Sequence, residues 1–276
     1  MSKPELAQYY SEGGANQGKG RRYKHLHTGE YAYGVTTISG RYSEGFGGDA
    51  GLAQWAADTT LRWANDNWSL LGSRSDEQNY RNGRLRWKDH TTHLAQVGTD
   101  AQEWIEADLT GGELPIMWGE SLEIAQQWVN FRSHHWIEPT HVEQTVWNHT
   151  LGYAGTFDFG GYLDGIPCML DVKTGRNLWE NNLIQQAAMA KCEVLMTKQA
   201  DGTWIEEPMP QWDQLGFIHL RPDYYNPVTG AQESAYWELE LMDMDEVDDL
   251  FEIFTGLLVG KKAEDRLKAR RKEKAE

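Results

Sequence analysis

Two aspartates and a lysine near the middle of the chain have residue types and a spacing that could bind a divalent cation beside a positive charge. Asp171 and Lys173 are separated by one residue, and Asp158 precedes them in the same glycine-rich stretch. Carboxylate oxygens are the ligands that Mg²⁺ and Mn²⁺ prefer in proteins. An ammonium group next to such a cation can orient a water molecule and stabilise the negative charge that develops on a phosphate.

A tight turn between these residues predicts how they are arranged. The dipeptide Asp164-Gly165 favours a two-residue hairpin turn, because both positions readily adopt a positive φ angle. In that register Leu163 pairs with Ile166, and Asp158 lies opposite Asp171. Directly opposed residues bring their Cβ atoms within about 5 Å, so the two carboxylates repel each other. A divalent cation between them removes the repulsion.

The alternation of side chains along these two strands predicts one apolar face and one polar face. The apolar face, which is expected in the core, carries Phe157, Phe159, Leu170 and Val172. The polar face carries Thr156, Asp158, Asp171 and Lys173. The alternative interpretation is a solvent-facing hairpin with an Asp–Lys ion pair and one unrelated aspartate. The readable turn makes the metal site the more specific prediction.

These residues resemble the PD-(D/E)XK nuclease superfamily and, within it, the RecB-type exonucleases, which include phage-encoded and mitochondrial genome maintenance exonucleases. The family pattern of G-x-x-D followed by D/E-x-K matches Gly155, Asp158, Asp171 and Lys173. The resemblance extends unevenly over residues 35–258, and its specific part is residues 142–190.

The resemblance implies roles for individual residues. Asp158, Asp171 and the backbone carbonyl of Val172 would bind Mg²⁺ or Mn²⁺, and Lys173 would be catalytic. A glutamine on the next helix would contact the site or the DNA; here it is Gln185 or, as an alternative, Gln186. The remaining residues assigned to substrate binding are Thr156 and Thr174.

The sequence also departs from the family pattern. Many RecB-type members place a metal-binding histidine after a Gly-Thr pair, and this chain has Gln102 after Gly98-Thr99. The site then either binds its metal more weakly or uses Glu143 as a further ligand, and the alternative for Glu143 is an ordinary carboxylate at a strand edge. Met189 replaces a tyrosine of the family. The two cysteines, Cys168 and Cys192, cannot form the four-cysteine iron–sulfur cluster of some relatives, so no such cluster is expected.

Composition and charge narrow the classes of protein. The two cysteines predict a reducing cytoplasm, and no apolar run reaches the roughly 20 residues of a membrane span. The formal net charge of −16 is unusual for a nucleic-acid-binding protein. Basic residues are nevertheless clustered at 19–24, 81–88 and 261–276, and the last segment holds eight bases and four acids. Each cluster can also be an ordinary solvated surface.

The pattern of apolar residues predicts an α/β protein in which a small mixed β-sheet is flanked by helices. The resemblance implies that this core is restriction-endonuclease-like. We divide the chain into a polar N-terminal arm (1–30), a nuclease domain with a helical N-terminal part (31–260) and a charged C-terminal tail (261–276). The less regular segments are predicted as a strand at 31–38, a helix at 180–195 and a loop at 198–213.

The predicted function is a metal-dependent exonuclease that hydrolyses phosphodiester bonds of DNA. The resemblance alone implies a role in phage DNA recombination or processing in the host cytoplasm. Its predicted partners are DNA and phage recombination proteins. The first alternative is a decayed nuclease that acts as a DNA-binding module. The second is a glycoside hydrolase that uses Asp158 and Asp171 as a carboxylate pair, although Lys173 has no evident role in that reaction.

Overall fold

The strands of the computed structural model are formed largely by residues on either side of the predicted hairpin. The structure describes residues 7–11, 21–25, 28–45, 48–198, 204–225 and 230–274. The strands are β1 (Ala7–Ser11), β2 (Arg21–His25), β3 (Tyr31–Gly34), β4 (Ile137–Asn148), β5 (Tyr153–Leu163), β6 (Ile166–Lys173), β7 (Val194–Lys198), β8 (Trp204–Pro208), β9 (Gln214–Arg221), β10 (Tyr224–Tyr225), β11 (Gln232–Glu233) and β12 (Tyr236–Leu241). The helices are α1 (Val35–Gly45), α2 (Gly48–Asp66), α3 (Trp68–Leu71), α4 (Asp76–Thr110), α5 (Gly119–His134), α6 (Glu180–Ala190) and α7 (Val247–Glu273), with a 3₁₀ turn at Met244–Glu246.

The described residues form one large, mixed and mostly antiparallel sheet, with a separate two-stranded pair, β10–β11. Ten strands belong to the large sheet within the ranges that the structure describes. Only two of its pairings are parallel, β3 with β5 and β6 with β9. The predicted α/β class and mixed sheet are confirmed, but the prediction of a small sheet is wrong. β1 and β2 extend the edge at β3, and β7 and β8 extend the edge at β4.

The predicted hairpin register is confirmed from the turn as far as Phe159, which pairs with Leu170. The φ angles of Asp164 and Gly165 are 51° and 84°, as a two-residue turn of this type requires. The Asp164 carboxylate also accepts a hydrogen bond of 2.8 Å from the Trp136 backbone N–H. The turn is therefore held from outside the hairpin as well as by its own backbone.

The sheet divides into two branches along β5. On one side β5 pairs with β4 along almost its whole length. On the other side its first residues, Tyr153 and Ala154, pair with β3, and only from Phe159 onward does it pair with β6. Beyond Leu170, β6 turns away from β5 and continues its parallel pairing with β9. Residues 155–158 of β5 therefore lie where the two branches separate, and we call this place the fork.

Helices cover both faces of the sheet, and each layer has its own apolar core. On one face α1, α6 and α7 pack on a cluster that contains Phe157 and Met169. On the other face α4 and α5 pack on a cluster that contains Phe159 and Leu170, with Val172 packed against it. The prediction of a single apolar hairpin face is therefore wrong for Phe157, which packs in the cluster on the face opposite to that of Phe159, Leu170 and Val172.

Some segment boundaries differ from the sequence prediction near β3 and α6. The predicted strand 31–38 ends at Gly34, and Val35 and Ile38 are buried one helical turn apart in α1. The predicted helix 180–195 ends at Ala190 and is followed by β7. The loop predicted at 198–213 contains β8 in its described part. Short apolar runs fit a helix and a strand equally well, so the tertiary contacts decide between them.

The two predicted terminal segments are only partly separate from the domain. Residues 21–25 of the arm form β2 inside the sheet, and Tyr23 is buried. The tail predicted to begin at 261 is a continuation of α7, which runs to Glu273. Asp265 of this helix accepts hydrogen bonds from Arg22 and Tyr33, so the sheet edge anchors it. Among the described helices, none is long and apolar enough to cross a membrane.

Candidate metal centre

Two carboxylates and one amide meet at the fork. The side-chain amide of Gln102, on α4, donates hydrogen bonds to Glu143 on β4 (2.5 Å) and to Asp158 on β5 (2.9 Å). The sequence assigned Gln102 to the position of the family's histidine and Glu143 to a further ligand, and the structure brings both to Asp158. A glutamine here places a neutral donor between two anions.

At the fork the side chain of Asp158, and not the backbone of β5, accepts the hydrogen bond from the backbone of β6. Its Oδ2 accepts a hydrogen bond of 2.7 Å from the backbone N–H of Val172. The N–H and C=O groups of one strand residue point to the same side of the strand. The Val172 carbonyl is therefore directed toward the space around Asp158, which is the place expected for a backbone metal ligand.

Asp171 and Lys173 complete the cluster from β6. Asp171 is 3% exposed and forms an ion pair with the ammonium group of Lys173. Both residues are fixed by the parallel pairing with β9, in which Asp171 lies beside Phe217 and Lys173 beside His219. The structure thus brings the three residues of the predicted motif together, although the hairpin ladder itself ends one pair earlier, at Phe159.

The electrostatics of the cluster show an excess of negative charge. Burial, Asp171 and Glu143 raise the pKa of Asp158 well above its usual value, and Lys173 and the Val172 N–H only partly offset this effect. Burial alone would lower the pKa of Lys173, but the carboxylates of Asp171 and Asp158 outweigh it and the pKa is raised. Lys173 therefore holds its proton firmly, while Asp158 is a carboxylate whose negative charge is incompletely compensated.

A small cavity of about 10 Å³ lies between α4 and the sheet, with room for one water-sized occupant. It is lined by Gln102, Ile105, Glu106, Leu109, Val142, Glu143, Asp158 and Val172. The backbone of Glu143 has a φ of 50°, an unfavourable conformation for a non-glycine residue that often accompanies a functional site. Sequence reasoning missed Glu106, whose signal was its position one helical turn after Gln102.

The residues predicted to bind substrate lie at different distances from this cluster. Thr174 follows Lys173, and its hydroxyl would be only 3.2 Å from a Cβ at Gly98, so α4 crosses the end of β6 closely. Thr156 instead forms hydrogen bonds of 3.2 Å with Tyr23 on β2 and 3.4 Å with Thr145 on β4.

The two candidate glutamines of α6 have different environments. Gln186 is fully buried, and its amide donates to the backbone carbonyls of Met169 and Gly216. It links β6 to β9 and holds the helix on the sheet. Gln185 is partly exposed and is the one whose side chain can reach a ligand. Met189 is buried, and a Cβ at Gly155 would lie 3.2 Å from its Cγ, so this glycine lets α6 approach the fork.

A second group of potential ligands lies on β9 and β12. His219, Glu238 and Glu240 bring one ligand atom each within 4.8 Å of one another. Arg221 lies in the same place, 3.2 Å from His219 and 3.8 Å from Glu238, and its charge opposes a cation there. His219 is fully buried and is 2.5 Å from the carbonyl of Gly175, on the loop after Lys173. We interpret this group as a set of contacts that holds that loop in position.

Comparison of the sequence with protein-family models and with curated proteins found no match. The geometry of the fork and the residues that meet there are therefore the basis for a functional assignment.

Proposed function

We propose that this protein is a metal-dependent exonuclease that hydrolyses phosphodiester bonds of DNA on a restriction-endonuclease-like core of the PD-(D/E)XK type. The observation that carries the proposal is the convergence of Asp158, Asp171 and Lys173 at the fork, with Asp158 bonded to the backbone of Val172. The charges of Asp171 and Lys173 both act on the pKa of Asp158, as expected for groups that lie close together.

The residues present fit a hard divalent cation. The available donors are carboxylate and carbonyl oxygens, and burial together with the charges of Asp171 and Glu143 raises the pKa of Asp158. Asp158, Asp171 and the Val172 carbonyl would hold Mg²⁺ or Mn²⁺, with Glu143 as a further ligand. When bound, such a cation lowers the pKa of a water molecule and offsets charge on a phosphate.

Lys173 supplies the positive charge of the site. Because its pKa is raised by the neighbouring carboxylates, it stays protonated at neutral pH and acts as a hydrogen-bond donor rather than as a base. Its ammonium group would orient the attacking water and stabilise the charge that develops on the phosphate oxygens. Gln102 would hold Glu143 and Asp158 in place through the two bonds of its amide.

The two rival functions are less well supported by the geometry. A decayed nuclease that only binds DNA has no need of a retained Asp158–Asp171–Lys173 set. For a glycoside hydrolase, the raised pKa of Asp158 would suit a general acid, but a sugar ring must fit between the carboxylates. Lys173, which forms an ion pair with Asp171, has no evident role in that reaction.

The proposal is tested by incubating purified protein with end-labelled linear DNA and with covalently closed circular DNA, with Mg²⁺ or EDTA. We expect degradation of the linear DNA only, and only with Mg²⁺. Lys173→Ala should lose this activity by at least about 10²-fold, the order expected for a group that stabilises transition-state charge. Lys191→Ala, which removes a surface lysine paired with Asp248, is the matched control and should retain it. Normal cleavage by Lys173→Ala would refute the assignment.

A role in phage DNA recombination or processing in the host cytoplasm, with recombination proteins as partners, belongs to the same proposal. It rests on the resemblance of the motif residues to phage-encoded exonucleases. Cleavage restricted to DNA ends would support it, because the processing of ends is what recombination requires of such an enzyme.

A further inference from the structure

The C-terminal half of α7 separates its charges into an inward acidic side and an outward basic side. Glu264 pairs with Arg41 at 3.2 Å, and Asp265 with Arg22 at 3.0 Å. Beyond them, residues 266–274 are exposed and hold six bases and one acid. Glu264 and Asp265 thus attach the helix to the fold, Lys268 pairs with Glu264 at 2.6 Å along the helix, and the side chains of the other bases of residues 266–274 are exposed.

The structure also joins two basic clusters that are far apart in the sequence. Arg22 reaches Asp265 from β2, and Lys24 lies on the same face of that strand, since alternate residues of a strand point to the same side. The described part of the first cluster, residues 21–24, therefore adjoins the described part of the last one, residues 261–274. We call the combined area the basic surface, and it consists of Lys24, Arg266, Lys268, Arg270, Arg271, Lys272 and Lys274.

We propose that the basic surface binds the phosphate backbone of the DNA whose end is cut at the fork, an inference that rests on the proposed function. The chain carries a formal net charge of −16, so most of its surface repels a polyanion. A dense positive area on such a protein is the part of the surface that can attract DNA. Neutralised phosphates supply most of the affinity of proteins for DNA without regard to sequence. An enzyme that shortens DNA of any sequence needs that kind of contact.

The basic surface is at a suitable distance from the cleavage site. Lys262, at the base of this part of α7, donates a hydrogen bond of 2.7 Å to the carbonyl of Leu151. From the adjacent Gly152 to Asp158, β5 advances by six residues, which is about 20 Å at roughly 3.3 Å per residue. Lys262 precedes the basic surface on α7, and successive phosphates of one strand are about 3.4 Å apart along the axis, so at least about six nucleotides are needed to reach from the fork to that surface. DNA shorter than that cannot occupy both places.

The test compares two triple variants with the same change in charge. One replaces three residues of the basic surface: Arg266→Gln, Arg270→Gln and Arg271→Gln. The control replaces three exposed bases of α2 and α4: Arg62→Gln, Arg81→Gln and Lys88→Gln. Glutamine and arginine have similar helix propensities, so neither variant should unfold its helix, and circular dichroism checks this.

Binding of a 20-base-pair duplex is measured by fluorescence anisotropy in EDTA over a series of NaCl concentrations. Loss of three phosphate contacts should reduce the slope of log K against log [NaCl] by about 2.7 and weaken binding on the order of 10²-fold at 0.1 M salt. The control should bind as the wild type does. A variant with Arg266→Lys, Arg270→Lys and Arg271→Lys should recover the slope. An unchanged slope in the glutamine variant overturns the inference, as does an equal loss in the control.

Cleavage assays separate this inference from the proposed function. With Mg²⁺, the glutamine variant should degrade the 20-base-pair duplex more slowly and a four-nucleotide strand at the wild-type rate. If the wild type cuts neither substrate but the salt slope changes as described, the basic surface binds DNA and the proposed nuclease function is wrong. If vesicles rich in anionic lipid bind through these residues and DNA does not, the surface belongs to a membrane contact and the inference fails.

Discussion

Divalent cations should stabilise the folded protein by compensating the charge at the fork. When all groups are ionised, Glu143, Asp158 and Asp171 contribute three negative charges and Lys173 one positive charge, which leaves a local charge of −2. A single Mg²⁺ or Mn²⁺ ion cancels that charge. Burial raises the pKa of Asp158, and the nearby charges of Asp171 and Glu143 raise it further.

The size of the effect follows from mass action. A ligand that binds only the folded state adds about 2.7 kcal/mol to the free energy of unfolding at a hundredfold excess over its Kd. For a chain of this length, about 1 kcal/mol shifts Tm by roughly 2–4 °C. Saturating Mg²⁺ should therefore raise Tm by about 5–10 °C.

The assay is a thermal melt of EDTA-dialysed protein with increasing MgCl₂ and, separately, MnCl₂, at constant ionic strength. Asp158→Asn removes one negative charge but keeps an oxygen that can accept from the Val172 N–H. This variant should melt at or above the wild-type Tm in EDTA and gain little from Mg²⁺. Asp58→Asn, on the exposed side of α2, should behave as the wild type. Equal gains in wild type and Asp158→Asn, or no gain in either, would refute the reasoning.

Three further predictions test other parts of the structure. Because burial and neighbouring carboxylates raise the pKa of Asp158, the stability linked to this group is fully present below its unfolded pKa of about 4 and is lost as the pH rises through its folded pKa. In EDTA, the wild type should thus lose stability relative to Asp158→Asn as the pH rises, which urea titrations at several pH values would show; a constant difference would contradict this. Gln102→Ala should weaken Mg²⁺ binding, because Glu143 and Asp158 lose the amide that donates to both. The Mg²⁺ concentration for half-maximal cleavage should then rise, and an unchanged concentration would exclude this role of Gln102. His219→Ala should lower kcat more than it raises KM, because the loop carbonyl of Gly175 loses its contact with His219, and steady-state kinetics with His219→Gln as the conservative variant distinguish this from a loss of folded protein.

The sequence predicted the hairpin well because its determinants are local. The positive φ angles at Asp164-Gly165 fix the turn, and the turn fixes the register as far as Phe159 and Leu170. The pairing could not be predicted beyond that point. Past Leu170, β6 pairs with β9 and no longer with β5, so Phe157 does not lie opposite Val172. Nothing in the hairpin sequence specifies the position of β9, which begins at Gln214.

The candidate site was predictable to a similar extent. The types and spacing of Asp158, Asp171 and Lys173 predicted a metal site. The missing family histidine after Gly98-Thr99 indicated Gln102. The contact of Gln102 with both Glu143 and Asp158 required α4 to cross the sheet at this place. That crossing depends on long-range packing between α4, α5 and the sheet, for which the helix sequence alone carries no signal.

The sequence by itself therefore determined the turn, the inventory of acidic and basic groups, and the amphipathic segments, since each depends on residues close together in the chain. The tertiary structure alone decided where β5 and β6 separate and which glutamine of α6 donates to backbone carbonyls. It also decided that Arg22 near the start of the chain and Asp265 near its end are in contact, which brings the basic residues of β2 next to those of α7. These features depend on contacts between distant segments, whose free energies are settled only when the whole core has packed.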